Sequence, residues 1–140
     1  DQSSCESNEA YQIQVGPGDA IPGISPHIGR IGLGYTPYKK LNFFLDAEYN
    51  SQQFYRGDEN NAEGRQVPGY FLLNASAEYI ITRSNGMNSV FFIEGRNLFN
   101  ENYETGGILA ENEVDGTGGS GTFVTPGQPT TIFAGVHVRW

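Results

Sequence analysis

Leu41-Asn42-Phe43-Phe44-Leu45-Asp46-Ala47-Glu48-Tyr49-Asn50 decides how the rest of this chain is read. Leu41, Phe43, Leu45, Ala47 and Tyr49 fall on one side of an extended backbone, because the side chains of a strand alternate with a period of two. Asn42, Asp46, Glu48 and Asn50 fall on the other side, and Phe44 is the exception. One face is apolar and the other carries carboxylates and amides. A helical period of 3.6 would scatter both sets around the axis.

The alternation returns on either side of this stretch. After Pro26, Ile31, Leu33 and Tyr35 share a face, opposed by Arg30, Gly32 and Gly34. From Phe71, the residues Phe71, Leu73, Ala75, Ala77, Tyr79 and Ile81 line up against Asn74, Ser76 and Glu78. Phe91, Ile93 and Gly95 oppose Glu94 and Arg96 less cleanly, because Val90 and Phe92 are apolar too. Ile132, Ala134, Val136, Val138 and Trp140 oppose Thr131, Gly135, His137 and Arg139. The pattern predicts about five strands of roughly ten residues each, the length a tilted strand needs to cross a bilayer.

The connections alternate in length. Thr36–Lys40 is a tight turn, Ser51–Gly69 a long polar stretch, and Arg83–Asn88 a short turn containing the turn-forming pair Asn85-Gly86. Asn97–Pro129 is long again, and its glycine-rich part Asp115–Gly121 is expected to be mobile. Short turns at one end and long loops at the other are the asymmetry of outer-membrane barrels, whose long loops face outward.

Composition agrees. Hydrophobic residues make up 37% and charged residues 17%, with 19 Gly, nine Phe, eight Tyr and one Trp, a profile of short strands and turns, not of helices. The net charge of −8 and the scattered basic residues argue against a nucleic-acid partner. No apolar run is long enough for a transmembrane helix, but a spanning strand needs apolar residues only at alternate positions. Asp1–Cys5 is too polar and acidic for a signal peptide, so an export signal is expected upstream. Cys5 reads either as an unpaired surface thiol or as half of a loop disulfide to an upstream segment.

Energetics assign the two faces. A charged side chain facing lipid at mid-bilayer costs roughly 2–4 kcal/mol, so Arg30, Asp46, Glu48, Glu78, Glu94, Arg96 and Arg139 belong on an inner, wetted wall. The apolar stripes belong against lipid, where Ile132, Ala134, Val136, Val138 and Trp140 anchor the last strand and Trp140 sits at the rim. Five strands cannot close a barrel, which predicts that the chain is a piece of a larger one.

In order along the chain, several segments resemble the TonB-dependent receptors of Gram-negative bacteria: Gly18–His27, Tyr55–Asn61, Val67–Tyr70, Glu94–Tyr103 and Phe123–Thr130. The most recognisable is Asn97-Leu98-Phe99-Asn100 with Tyr103 shortly after. At Thr130 the family commonly has Arg. The resemblance implies that residues 1–140 are the C-terminal segment of a barrel of roughly 22 strands, with the plug domain outside this chain. It further implies residence in the outer membrane, uptake of a ferric siderophore, vitamin or oligosaccharide, and three further partners: the TonB complex (through the plug), the barrel-assembly machinery and lipopolysaccharide.

Two outer loops would then contribute to a vestibule. Gln52, Gln53, Tyr55 and Arg56 combine amides, an aromatic ring and a guanidinium suited to anionic oxygen ligands, although the same residues could simply hold the loop together. Asp58-Glu59 and Glu111–Asp115 read as solvated charge on the outer surface, and their spacing is not that of an EF-hand. His27 and His137 have no partner at ligand spacing, so neither a metal site nor a cofactor is expected. Asn97, Leu98, Phe99 and Tyr103 read as structural. No nucleophile elbow, zinc-protease motif or phosphate loop is present, which argues against an enzyme. The alternatives are a passive porin-type barrel and a secreted all-β carbohydrate-binding module.

Overall fold

The computed structural model describes residues 13–82, 88–112 and 119–139. Cys5, the Asn85-Gly86 turn and Trp140 lie outside the described residues, as does the Asp115–Gly118 part of the glycine-rich stretch. The alternating segments form one antiparallel sheet from β1 (Ile28–Tyr38), β2 (Leu41–Asn50), β5 (Tyr70–Thr82), β6 (Asn88–Arg96) and β9 (Thr131–Arg139), in the order β1-β2-β5-β6-β9. Two small hairpins complete the elements: β3 (Gln53–Phe54) with β4 (Gln66–Val67), and β7 (Glu104–Asn112) with β8 (Gly119–Pro126).

The long connection Asn97–Pro129 therefore differs from the loop expected of it. Glu104–Asn112 and Gly119–Pro126 pair as a hairpin, in register from Gly106↔Thr125 to Asn112↔Gly119. Thr122, Phe123, Val124 and Thr125 are β-formers, but the glycines among them hide the alternation that marks the other strands. The first turn is also tighter than expected, because β1 runs on to Tyr38 through an irregularity between Tyr35 and Tyr38.

The register turns the alternation into two surfaces. On the apolar face, the row Leu33–Leu45–Ala75–Gly95–Ile132 crosses all five strands, and the next row is Tyr35–Phe43–Ala77–Ile93–Ala134. Tyr49 pairs with Phe71 at the long-loop end, and Leu41–Tyr79–Phe91–Val136 marks the short-turn end. Aromatic residues thus bracket an aliphatic zone. The run from Phe71 to Tyr79 covers about 26 Å at ~3.3 Å per residue, or about 20 Å along the membrane normal for a strand tilted ~40°, close to the apolar band of an outer-membrane barrel.

The opposite face carries Gly32–Asp46–Asn74 and Arg96–Thr131, and then the full row Gly34–Phe44–Ser76–Glu94–Phe133. The aromatic exceptions to the alternation have a physical reason. Phe44 lies over Gly34, with ring atoms 3.5 and 3.6 Å from where a Cβ would stand, and Phe92 covers Gly135 in the same way. A ring that covers a cross-strand glycine restores packing that the glycine cannot supply.

Among the described residues, no second layer covers either face. Among the described residues the buried hydrophobic ones are Tyr55, Val67 and Leu72, whereas Ile31, Leu33, Ile93 and Ile132 are each more than half exposed. A single sheet with an apolar side of this size is stable only against an apolar medium.

Candidate functional site

At the long-loop end, the segment after β2 turns away from the sheet and meets the β7–β8 hairpin. The Arg56 amide donates to the Gly107 carbonyl at 3.1 Å, and the Leu109 amide donates to the Arg56 carbonyl at 2.7 Å, forming a parallel bridge between Arg56 and Ile108. Tyr55 lies flat against Gly107, where any Cβ would collide with its ring. Its hydroxyl donates to the Glu104 carboxylate at 2.9 Å. Burial raises the pKa of this phenol above its ordinary value, and the Glu104 carboxylate raises it further.

The four loop residues singled out from the sequence are not gathered into one constellation. Gln53 is buried: its amide donates to the Thr105 carbonyl at 3.3 Å and accepts from the Ser25 hydroxyl at 3.4 Å. Tyr55 is buried beside it as an internal strut. Arg56 is exposed, with its side chain laid over Gly23. Gln53 and Arg56 line a cleft of about 310 Å³ together with Thr105, Gly106, Phe123 and Thr125. Gln52 faces a different cleft.

Asp58 corrects the reading of Asp58-Glu59 as solvated charge. It is almost wholly buried. Its Oδ1 accepts from the Glu63 amide at 3.1 Å, and its carbonyl accepts from the amide and side chain of Asn61, both at 3.1 Å. Asn61 has a positive φ of 55° and bonds the Ala20 backbone in both directions, so the loop is tied back to the segment before β1. The Asp-x-x-Asn spacing was the available sequence signal, since both residue types bond nearby backbone and tolerate left-handed geometry. Among the described residues, Asp58 Oδ2 has no hydrogen-bond partner. Among the described residues, no three His, Cys, Asp or Glu side chains converge as a metal site would require.

Asn97, Leu98, Phe99 and Tyr103 form the joint between β6 and β9. Asn97 is buried, with a φ of 50°. Its side-chain amide donates to the carbonyls of Glu101 and Gln128, each at 2.9 Å, while its Oδ1 accepts from the Glu101 amide at 2.8 Å. Its own amide donates to Asn74 Oδ1 at 3.0 Å. Leu98 covers Gly95, and Phe99 emerges on the lipid side against Phe71, with ring centroids 6.4 Å apart. Tyr103 stands over Gly127 and meets Tyr70 at 4.5 Å. Thr130, the departure from the family pattern, donates its hydroxyl to the Asn97 carbonyl at 2.6 Å and so closes the joint.

On the inner wall, Arg30 pairs with Glu48 and approaches Asp46 at 4.0 Å, and Asn74 donates to Asp46 at 3.4 Å. Arg96 pairs with Glu94 and sits 5.3 Å from the centre of the Phe133 ring. Asp46 and Glu48 are thus charge-paired members of a ladder across the sheet.

A comparison with known families agrees with this architecture: residues 7–98, well over half of the chain, match the family described as TonB dependent receptor-like, beta-barrel. The match spans β1 to β6 and ends inside the Asn97-Leu98-Phe99 motif. No curated protein matches the chain. The family is one of outer-membrane receptors and transporters, and this chain belongs to it.

Proposed function

We propose that residues 1–140 are the C-terminal segment of a receptor barrel that takes up a scarce nutrient with energy supplied through TonB. The carrying observation is one sheet with an apolar face bracketed by aromatic residues, a charge-laddered opposite face, and a folded loop layer at the long-loop end. Edges β1 and β9 would pair with further strands of the barrel, because lipid does not tolerate unsatisfied backbone. The plug, and with it the TonB contact, would lie outside this segment. Ile132, Ala134, Val136 and Val138 would anchor the last strand in lipid and present it to the barrel-assembly machinery.

The substrate reading centres on the cleft of Gln53 and Arg56. Arg56 makes no ion pair among the described residues, so its guanidinium is free for an anionic oxygen ligand of a ferric siderophore or an acidic sugar. The ordered hairpin beside it would make this a preformed wall of the vestibule and not a loose flap. The test expresses the full-length receptor in strains with and without functional TonB and follows accumulation of labelled ferric chelates, corrinoids and oligosaccharides. TonB-dependent uptake of one class, weakened by Arg56→Gln, is expected. Equal uptake in both strains would indicate a passive pore, and a product soluble without detergent would indicate a secreted module.

A further inference from the structure

Of the polar side chains lining the cleft of Gln53 and Arg56, two are already satisfied within the fold. The Gln53 amide donates to the Thr105 carbonyl at 3.3 Å and accepts from the Ser25 hydroxyl at 3.4 Å. The Thr105 hydroxyl donates to the Thr125 carbonyl at 3.3 Å. Arg56 differs from both. It is exposed and forms no ion pair among the described residues. Its stem lies across Gly23, where a Cβ would stand 2.8 Å from the Arg56 Nε, so the missing side chain of Gly23 gives the guanidinium its seat.

The opposite wall of the cleft is apolar. Ile108 and Phe123 are cross-strand partners in the β7–β8 hairpin, and both line the cleft. Tyr55 packs against Gly107, which by strand parity belongs to the other side of the hairpin. The Ile108–Phe123 side is left uncovered, at 51% and 62% exposure. One pair along, Gly106 opposes Thr125, and nothing lies within 4 Å of where its Cβ would stand. That open space beside Phe123 has room for a ring. The cleft volume of about 310 Å³ is at the bottom of the ~300–1,000 Å³ range of pockets that take a whole small ligand. It therefore suits one arm of a nutrient better than an entire one.

We propose that the cleft binds a carboxylate carried on an apolar, ring-sized arm, with the carboxylate on Arg56 and the arm laid over Ile108 and Phe123. The inference rests on the reading of this loop layer as a vestibule wall and narrows what that wall recognises. The Arg56 fork matches the two oxygens of a carboxylate, and the neighbouring pair supplies apolar area for the group that carries it. An acidic sugar would satisfy Arg56 but bring a ring of hydroxyls, and Gln53 and Thr105 are already engaged in the fold. A wholly apolar arm would cover the guanidinium without pairing it. The C-terminal residue of a peptide and a pendant arm of an iron chelate share the required chemistry.

The experiment titrates the full-length receptor in nanodiscs by saturation-transfer NMR with three probes: N-acetylphenylalanine, its uncharged amide and glucuronic acid. N-acetylphenylalanine should bind about tenfold more tightly than either of the others. Arg56→Gln should reduce it to the level of the amide and leave the amide unchanged. Phe123→Ala should weaken it by about tenfold through the lost ring contact, and Gly106→Leu, which fills the open space, should block it with Arg56 and Phe123 intact. Displacement of the bound probe by a tripeptide ending in phenylalanine, or by an iron chelate with a phenylacetate arm, supports the proposal and identifies the source. Displacement by neither overturns it, as does glucuronic acid binding as tightly as N-acetylphenylalanine, or N-acetylphenylalanine binding unchanged in Arg56→Gln and Phe123→Ala. Tight glucuronic acid binding lost in Arg56→Gln would leave the vestibule reading standing, whereas TonB-dependent uptake indifferent to Arg56→Gln would remove that reading itself, so the two failures are distinguishable.

Discussion

Replacing Asn97 should loosen the joint between β6 and β9 by an amount the structure allows to be worked out. The side chain makes three hydrogen bonds of 2.8–2.9 Å from a buried position. At about 0.5–1.5 kcal/mol net for each bond, their loss costs about 2–4 kcal/mol, with water partly compensating at Glu101 and Gln128. Asn97 also holds φ at 50°, a conformation that costs a residue such as Ala a further ~1 kcal/mol. Asn97→Ala should therefore cost about 3–5 kcal/mol locally, while Asn97→Gly, which has no left-handed penalty, should cost only the hydrogen-bond part. Asn97→Asp keeps an acceptor for the Glu101 amide but turns a carboxylate oxygen toward the carbonyls of Glu101 and Gln128. It should be at least as disruptive as Asn97→Ala at neutral pH and should partly recover once the carboxyl is protonated.

The assay is amide hydrogen exchange on the full-length receptor in micelles, reading the peptides around Leu98–Tyr103 and Gln128–Ile132. Asn97→Ala should reduce protection there by about two to three and a half orders of magnitude, since each ~1.4 kcal/mol is a factor of ten. Protection within twofold of wild type in Asn97→Ala, or a wild-type pattern in Asn97→Asp, would refute the assignment of this residue as the hub of the joint.

Three further outcomes follow from neighbouring observations. Ala75→Arg should destabilise the inserted barrel by roughly 2–4 kcal/mol because Ala75 faces lipid, while Ser76→Arg, one residue on and facing the lumen, should cost under about 1 kcal/mol; equal losses in reversible unfolding from vesicles would contradict the face assignment. Gly127→Ala should drive the Tyr103 ring off its seat and raise exchange at the Gly127 amide, which donates to the Tyr103 carbonyl at 2.7 Å. Gly106→Ala, with nothing within 4 Å of the new methyl, should be neutral in the same measurement. The buried, Glu104-bonded phenol of Tyr55 titrates above its ordinary value, so folding favours its neutral form. The stability it adds is complete below about pH 10, the unfolded phenol's pKa, and fades as pH rises through the folded pKa. Protection of β7 amides should fall in that alkaline window, and Tyr55→Phe should abolish the pH dependence; a dependence that persists in the variant would place its origin elsewhere.

The strands of the sheet were legible because alternation is a local property: each residue's face depends only on its parity along an extended chain. That sufficed for β1, β2, β5, β6 and β9, for the apolar and polar faces of the sheet, and for the placing of long and short connections at opposite ends. The exceptions at Phe44 and Phe92 could not be understood locally, since their partners Gly34 and Gly135 stand on other strands. The hairpin in Asn97–Pro129 was hidden because its glycines carry no side chain to register a period.

The candidate site was less legible for the same reason carried further. Gln52, Gln53, Tyr55 and Arg56 are adjacent in sequence and chemically alike in their promise. Their fates were settled by residues far along the chain: Glu104 and Gly107 claim Tyr55, Thr105 claims Gln53, and the β7–β8 hairpin leaves Arg56 at a cleft mouth. Asp58 likewise looked like a surface charge until Asn61 and Glu63 folded around it. By itself the sequence determined an amphipathic antiparallel sheet, because backbone geometry sets alternate side chains on opposite faces, and its motifs carried the resemblance to the receptor barrels. Which of the loop side chains are struts and which stand at a cleft was decided by tertiary structure, because their burial and hydrogen-bond partners come from residues distant in the chain.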